Sequence, residues 1–196
     1  AAQSAGVLPI DLSDGCIDYL CTAGHKGLYG PMGTGLLLIN CDTMPDSLIQ
    51  GGTGSYSSDL SQPEQLPDKY ESGTPNVAGI AGLREGVRFV RSRGVKSISE
   101  HEMRIAQMIY DRLQRTDGVQ LYTMRPEISS HVPVISFNVG GMDSEHVAQL
   151  LNDRYGIAVR AGLHCAPLAH LSKGTEKRGT VRVVASAFNN MRQAEY

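Results

Sequence analysis

A glycine-rich loop with a single lysine lies between two short apolar runs near the start of the chain. The loop, residues 23–35, reads AGHKGLYGPMGTG and has glycine at five of its thirteen positions. The apolar runs at 17–20 and 36–39 predict one buried strand before the loop and one after it. This arrangement puts Lys26 at the end of a strand, where a glycine-rich backbone lets a ligand approach closely.

The loop does not match the common phosphate-binding loops. Gly30, Gly33 and Gly35 do not form the dinucleotide pattern G-x-G-x-x-G, and no Lys-Ser or Lys-Thr pair follows a glycine as a P-loop requires. A plain turn between two strands is the alternative. We interpret Lys26, beside His25, as an amine in an apolar pocket, where a lowered pKa makes it nucleophilic towards carbonyl groups. Our hypothesis is that Lys26 binds the aldehyde of pyridoxal phosphate.

The composition argues against several classes of protein. The 196 residues carry a net charge of -2 and no long basic run, which disfavours nucleic acid or an anionic membrane as a partner. No apolar run reaches the roughly 20 residues that span a bilayer. The four cysteines form no C-x-x-C pair, so neither a zinc site nor a thioredoxin-type motif is indicated. We expect reduced thiols, no metal and a cytoplasmic protein.

The rest of the chain alternates between helical and strand patterns. Residues 41–76 are polar and irregular, with two segments, 51–55 and 71–76, rich in groups that could bind an anion. Asn76 is predicted to cap a helix that ends at Gly94, and the capping-box pair Ser97 and Glu100 to begin a second helix. Strands are predicted at 119–122, 132–139, 157–160 and 180–185, and helices at 144–151, 166–171 and from about 189. Together these elements predict a compact α+β unit from about residue 90.

A second reactive centre is predicted in residues 160–166, RAGLHCA, directly after a predicted strand. Cys165 follows His164 and lies near Arg160, an electropositive setting that favours the nucleophilic thiolate. The alternative is a buried structural cysteine, the reading that we give to the other three cysteines, Cys16, Cys21 and Cys41. Arg182, within the last predicted strand, either extends to solvent or binds a carboxylate, and the sequence leaves both open.

Taken together, the motifs AQSAG, GHKGLYGPMGTG, ESGTPN, RAGLHCA and GTVR resemble the class V aminotransferase family of pyridoxal phosphate-dependent enzymes. The resemblance is greatest to the branch of cysteine desulfurases and selenocysteine lyases. It covers residues 2–190, which correspond to the C-terminal half of such an enzyme. It implies an α/β fold in which residues 1–90 end the large domain of a fold type I transferase. Residues 91–196 would then form the small α+β C-terminal domain.

The resemblance also implies a cofactor site built on the lysine loop. Lys26 would attach the cofactor through its aldehyde, with His25 beside it. Gln3 would hydrogen-bond the phenolic oxygen of the cofactor ring. Thr74 would reach the cofactor phosphate of the neighbouring subunit, which implies a homodimer.

For the substrate, the resemblance implies that Arg160 and Arg182 hold the carboxylate of an amino acid, cysteine or selenocysteine. Cys165 would take the substrate's sulfur as a persulfide and leave alanine, and its short loop implies transfer to a sulfur-acceptor protein. The implied function is that of a cysteine desulfurase. The alternatives are another reaction of the family (selenocysteine lyase, transaminase or epimerase) and a non-catalytic module for dimerisation or sulfur-carrier binding.

Three departures from the family pattern bear on these expectations. Ala23 stands where the family usually has a phosphate-binding Ser or Thr, and Val184 and Ser186 replace a usual serine and glycine. The family's Asp that pairs with the pyridine nitrogen would fall one residue before Ala1. We therefore expect the sequence to be part of a longer protein, and these residues alone to bind the cofactor poorly.

Overall fold

The structure is a computed structural model that describes residues 1–128 and 130–195. The chain divides into two compact units. The first comprises Ala1–Gly6 and Ile10–Arg93, and the second comprises Val7–Pro9 and Gly94–Tyr196. Among the described residues, no helix has the length and apolar character needed to cross a membrane.

The first unit contains the two strands predicted around the lysine loop. Strands β1 (Tyr19–Ala23) and β2 (Gly35–Ile39) pair antiparallel, with Ala23 opposite Gly35. The predicted burial of the second strand is wrong, because Leu36, Leu37 and Leu38 are 39%, 44% and 43% exposed. A two-stranded ribbon with one long helix in its unit has too few elements to cover both faces.

Helix α1 (Val77–Arg93) begins where the sequence predicts, because the Asn76 Oδ1 accepts a 3.0 Å hydrogen bond from the Gly79 amide. Residues 41–76 before it contain neither helix nor strand, as predicted. One side of α1 supports the lysine loop. A Cβ at Gly86 would lie 2.2 Å from the carbonyl oxygen of Leu28, and the Tyr29 ring packs edge-on against Phe89 with centroids 5.2 Å apart.

This close approach makes Gly86 a position where alanine should destabilise the protein. Alanine is the better helix former by about 1 kcal/mol, but its Cβ would overlap backbone atoms of Leu28 and Tyr29. Because backbone cannot rotate away as a side chain can, we expect Gly86→Ala to lower the free energy of unfolding by about 1–3 kcal/mol. Denaturant unfolding measures this. Gly141→Ala is the control, since a Cβ there meets nothing within 4 Å, and equal stability of both variants would contradict the packing.

The second unit is built on a three-stranded antiparallel sheet of order β3-β4-β5. Its strands are β3 (Val119–Leu121), β4 (Val134–Val139) and β5 (Val181–Val184). Its helices are α2 (Val95–Leu113), α3 (Ser144–Tyr155), α4 (Pro167–Lys173) and α5 (Met191–Glu195).

Two sequence-based predictions for the second unit are wrong, the start of a helix and the presence of a strand. Helix α2 begins at Val95 after Gly94, with no side-chain cap, so the predicted capping box of Ser97 and Glu100 lies inside the helix. The predicted strand at 157–160 is absent apart from a single bridge between Arg160 and Arg182. The apolar residues of 157–160 resemble a strand, but only Arg160 exchanges backbone hydrogen bonds with β5.

The sheet of the second unit has one apolar face and one polar face. Ile135 packs with Ala106 and Tyr110 of α2, and Phe137 and Val181 pack with Val147 of α3. Side chains alternate along a strand, so the intervening residues Ser136, Asn138 and Arg182 share the opposite face. The pairings Ser136–Arg182 and Phe137–Val181 fix this register. The polar face carries the arginine that the sequence analysis singled out.

Candidate functional site

The lysine loop is a tight backbone turn. The Gly24 amide donates to the Thr34 carbonyl at 2.8 Å, the Gly30 amide donates to the Gly24 carbonyl at 2.8 Å, and the Tyr29 amide donates to the Lys26 carbonyl at 2.9 Å. Lys26 lies at the start of this turn with its side chain exposed. The prediction that Lys26 lies in an apolar pocket is therefore wrong, because the turn places its side chain at the surface. The described residues offer its amine no hydrogen-bond or ion-pair partner.

The first residues of the chain lie against this loop. A Cβ at Gly6 would be 2.0 Å from the Gly27 carbonyl oxygen, and the Thr22 hydroxyl donates to the Ala1 carbonyl at 3.3 Å. Gln3 belongs to this short segment and is exposed, as is His25. The structure thus brings the segment of Gln3 next to the loop of Lys26, with glycine at the closest contact.

The two donor-rich segments of the irregular region lie together. The Gly73 amide donates to the Gly51 carbonyl at 2.9 Å, and a Cβ at Gly52 would lie 3.3 Å from the Gly73 Cα. Thr74 follows this contact and is exposed. No hydrogen bond between described residues joins Thr74 to the lysine loop.

The cysteine loop of the second unit, residues 161–166, has an unusual backbone. His164 and Cys165 have φ of 52° and 59°, in the left-handed region that only glycine adopts without cost, and Gly162 has φ of 100°. Such strain in consecutive residues is typical of functional sites. The Cys165 side chain is exposed. The structure therefore presents this thiol on a strained loop and does not bury it.

Arg160 and Arg182 are directly opposed neighbours. The Arg182 amide donates to the Arg160 carbonyl at 2.7 Å, and the Arg160 amide donates to the Arg182 carbonyl at 3.1 Å. Residues paired in this way project to the same face of a sheet, where two like charges repel each other. The Arg182 Nε is buried and has no partner among the described residues. A bound anion between the two guanidinium groups would reduce the repulsion between them and give the Arg182 Nε an acceptor. This favours the carboxylate-binding alternative for Arg182.

His164 does not contribute the positive charge that the sequence analysis assigned to it. Its Nε2 lies 2.9 Å from the Thr180 carbonyl oxygen. Burial is the largest effect and lowers the pKa of His164. The hydrogen bond to Thr180 opposes it, and Arg182, His170 and Arg160 each lower the pKa by a smaller amount. The imidazole is therefore neutral at neutral pH. Of the cations predicted near Cys165, the arginines remain.

The lowered pKa of His164 predicts a loss of stability in acid. Above pH 6.5, its ordinary pKa, the ring is neutral in both folded and unfolded chains and contributes no pH dependence. Below that pH the unfolded chain binds the proton more readily, so the free energy of unfolding falls until the folded pKa is passed. We expect His164→Gln to reduce this slope, measured by denaturant unfolding from pH 7 downwards. An identical slope in both proteins would contradict the burial of the ring.

The other three cysteines differ from their predicted burial. Cys16 and Cys21 are exposed, and Cys41 is half-buried. The neighbouring apolar residues suggested a core, but Cys21 lies in β1, and Cys16 and Cys41 lie just outside the ribbon of β1 and β2, much of which is exposed. All four cysteines are free thiols. Within residues 1–128 and 130–195, no group of His, Cys, Asp and Glu side chains could hold a metal ion.

Two polar residues that the sequence did not single out hold the backbone before β5. Asn138, 1% exposed, donates to the Gly179 carbonyl at 3.0 Å, and Ser144 donates to the Arg178 carbonyl at 2.7 Å. These bonds fix the backbone just before β5. The alternation of Ser136 and Asn138 with apolar residues in β4 was the available signal, because it marks a polar face on an otherwise apolar strand.

The comparison with known families now identifies the class of protein. The family model described as Aminotransferase class-V matches residues 1–196. The chain belongs to this family.

Its relatives include curated proteins named as cysteine desulfurases. A probable cysteine desulfurase of Methanothermobacter thermautotrophicus is 33% identical over 100% of this chain and 49% of its own length. One of Xylella fastidiosa is 38% identical over 84% of this chain and 39% of its own. The apo structure of a cysteine desulfurase from Thermococcus onnurineus NA1 is 35% identical, with a TM-score of 0.82 over 100% of this chain and 48% of that one. The chain spans about half the length of the relatives that it matches most fully.

Proposed function

We propose that the full-length protein is a pyridoxal phosphate-dependent cysteine desulfurase that converts L-cysteine to L-alanine. The similarity to proteins named as cysteine desulfurases supports this over the whole chain. The observation that carries the proposal is the cysteine loop, where an exposed thiol on a strained backbone lies five residues after Arg160, which is paired with Arg182. An amino acid's carboxylate would bind the arginines and its sulfur would meet the thiol.

The residues of the lysine loop fit pyridoxal phosphate. Lys26 offers an exposed amine without a competing partner among the described residues, as attachment to an aldehyde requires. Gln3, on the segment packed against the loop, would donate to the cofactor's phenolic oxygen, and His25 would lie beside the ring. Thr74 would bind the cofactor phosphate of the partner subunit in a homodimer. When bound, the cofactor supplies the electron sink for the reaction.

The protein's own side chains would then carry out two tasks. Arg160 and Arg182 bind and orient the substrate carboxylate, for which the planar guanidinium is well suited. The thiolate of Cys165 forms a bond to the substrate's sulfur while the bond between that sulfur and the substrate carbon breaks. The electron pair of the broken bond stays with the carbon, which accepts a proton from water and becomes the methyl group of alanine, and the sulfur stays on Cys165 as a persulfide. A sulfur-acceptor protein would remove it.

In this proposal, residues 1–90 are the end of a fold type I large domain and residues 91–196 are the small C-terminal domain. The protein would act in the cytoplasm. Selenocysteine fits the same carboxylate-binding and thiol groups, and selenocysteine lyase activity is accordingly one outcome of the test below.

The test is to incubate the full-length protein with L-cysteine and pyridoxal phosphate and to measure alanine and bound sulfur. We expect the amount of alanine formed to equal the amount of sulfur that a reductant releases from the protein. Selenocysteine, supplied in a parallel reaction, distinguishes a lyase that acts on it alone. Transfer of the amino group to a keto acid, without alanine from cysteine, would contradict the proposal and indicate a transaminase.

A further inference from the structure

The cysteine loop is held against the β5 segment by few contacts. The Thr180 amide donates to the Gly162 carbonyl at 3.1 Å, and the Ala166 amide donates to the Leu163 carbonyl at 2.8 Å within the loop. Beyond these backbone bonds, His164 is the one loop residue in the described chain whose side chain hydrogen-bonds the β5 segment. Its ring contacts the carbonyl of Thr180, the residue before β5. The bond between Ala166 and Leu163 closes the turn of two left-handed residues, and the imidazole is the side chain that ties this turn to Thr180.

We propose that His164 is a positioning residue for Cys165, and that its hydrogen bond to the Thr180 carbonyl holds the cysteine loop in the left-handed conformation that presents the thiol. This proposal rests on the proposed function only for the role of Cys165, which is to take the substrate's sulfur. The hydrogen bond between His164 and the Thr180 carbonyl, here called the tether, belongs to the loop itself. It can be measured without substrate or cofactor.

The hydrogen bond determines which form of the ring is present. A carbonyl oxygen only accepts, so the Nε2 of His164 must carry the proton. The Nδ1 is then an unprotonated acceptor, and it is buried without a partner among the described residues. Adding a proton there would bury a positive charge near Arg182. The ring therefore holds the loop by donating a hydrogen bond from its Nε2 to the Thr180 carbonyl.

The other end of the tether is rigid. Asn138 donates to the carbonyl of Gly179, directly before Thr180. On the loop side, a Cβ at Gly179 would be 2.6 Å from the Gly162 Cα, so the two backbones are already in close contact. The His170 ring lies 5.7 Å from the His164 ring and is itself held by Thr175 at 2.8 Å. A fixed acceptor gives the imidazole a defined position from which to restrain Cys165.

The experiment compares three variants in the full-length protein. His164→Ala removes the donor, His164→Gln keeps an N–H donor at a similar distance from the backbone, and His164→Asn has the donor but is too short to reach. His101→Ala is the matched control, because the His101 Nε2 also lies 2.8 Å from a backbone carbonyl, that of Asn189, in the same unit. The readouts are hydrogen exchange of the Thr180 and Ala166 amides, and kcat and KM for alanine formation.

We expect faster exchange of both amides in His164→Ala and His164→Asn, with Arg182 protected as before. We also expect kcat to fall by about 10–100-fold, because a displacement of about 1 Å costs as much. KM should change little, since the arginines are intact. His164→Gln should restore most of both properties, and His101→Ala should change neither.

Unchanged exchange and kcat in His164→Ala would overturn the tether. So would a His164→Gln protein that behaves as His164→Ala does, because an acid–base role of the imidazole would then explain the loss. If the unmodified protein makes no alanine from cysteine, the proposed function fails. The exchange data would still test the tether in that case.

Discussion

Replacing Lys26 by alanine should remove the visible absorbance of the bound cofactor and reduce alanine formation from cysteine by at least about 10²-fold. The reason is chemical, because in the proposed function the amine of Lys26 would attach the aldehyde of the cofactor. The structure shows it exposed at the turn after β1, without a partner among the described residues. Absorbance spectra and a coupled assay for alanine measure the two effects.

Two control variants separate the amine of Lys26 from its charge. Lys26→Arg keeps the positive charge but offers no amine that forms an imine, so we expect it to behave as Lys26→Ala does. Lys69→Arg changes a lysine of the same unit whose amine lies 2.7 Å from Glu64, and it should leave absorbance and activity unchanged. A Lys26→Arg protein with ordinary activity would contradict the assignment of Lys26, since charge alone would then suffice.

Cys165→Ser should reduce alanine formation from cysteine by at least about 10³-fold. A hydroxyl at this position is a far weaker nucleophile than a thiolate and forms no persulfide. Cofactor absorbance should persist, because Lys26 is untouched. Cys16→Ser is the matched control, since that thiol is also exposed but lies in the first unit. Alanine formation unaffected by Cys165→Ser would contradict the desulfurase mechanism and favour a family reaction that uses no thiol.

Much of the fold could be predicted from the sequence because its local signals agree with its packing. The lysine loop lies between two strands as predicted, and Asn76 caps α1 through its side chain. The capping box of Ser97 and Glu100 was misleading, because Gly94, with φ of 82°, is the residue from which the chain turns into α2, three residues before Ser97. Periodicity also predicted a strand at 157–160, where only Arg160 pairs with its neighbour.

The site could be predicted only in part, because burial and pairing depend on residues distant in sequence. The sequence singled out Cys165 and Arg182, but it could not show that Arg160 and Arg182 are directly opposed. It assigned a positive charge to His164, whereas burial lowers the pKa of the ring and favours its neutral form. Gly86 carried no sequence signal for its contact with the lysine loop, since a glycine within a helix predicts only weaker helix formation.

The most direct test of the account is peptide mass spectrometry after a single turnover with cysteine. The full-length protein, loaded with pyridoxal phosphate, is mixed with less than one equivalent of L-cysteine and digested under conditions that preserve persulfides. The proposed mechanism predicts one additional sulfur atom on the peptide that contains Cys165, in an amount equal to the alanine formed. Alanine formed without sulfur on that peptide, or with sulfur on the peptides of Cys16, Cys21 or Cys41, would contradict it.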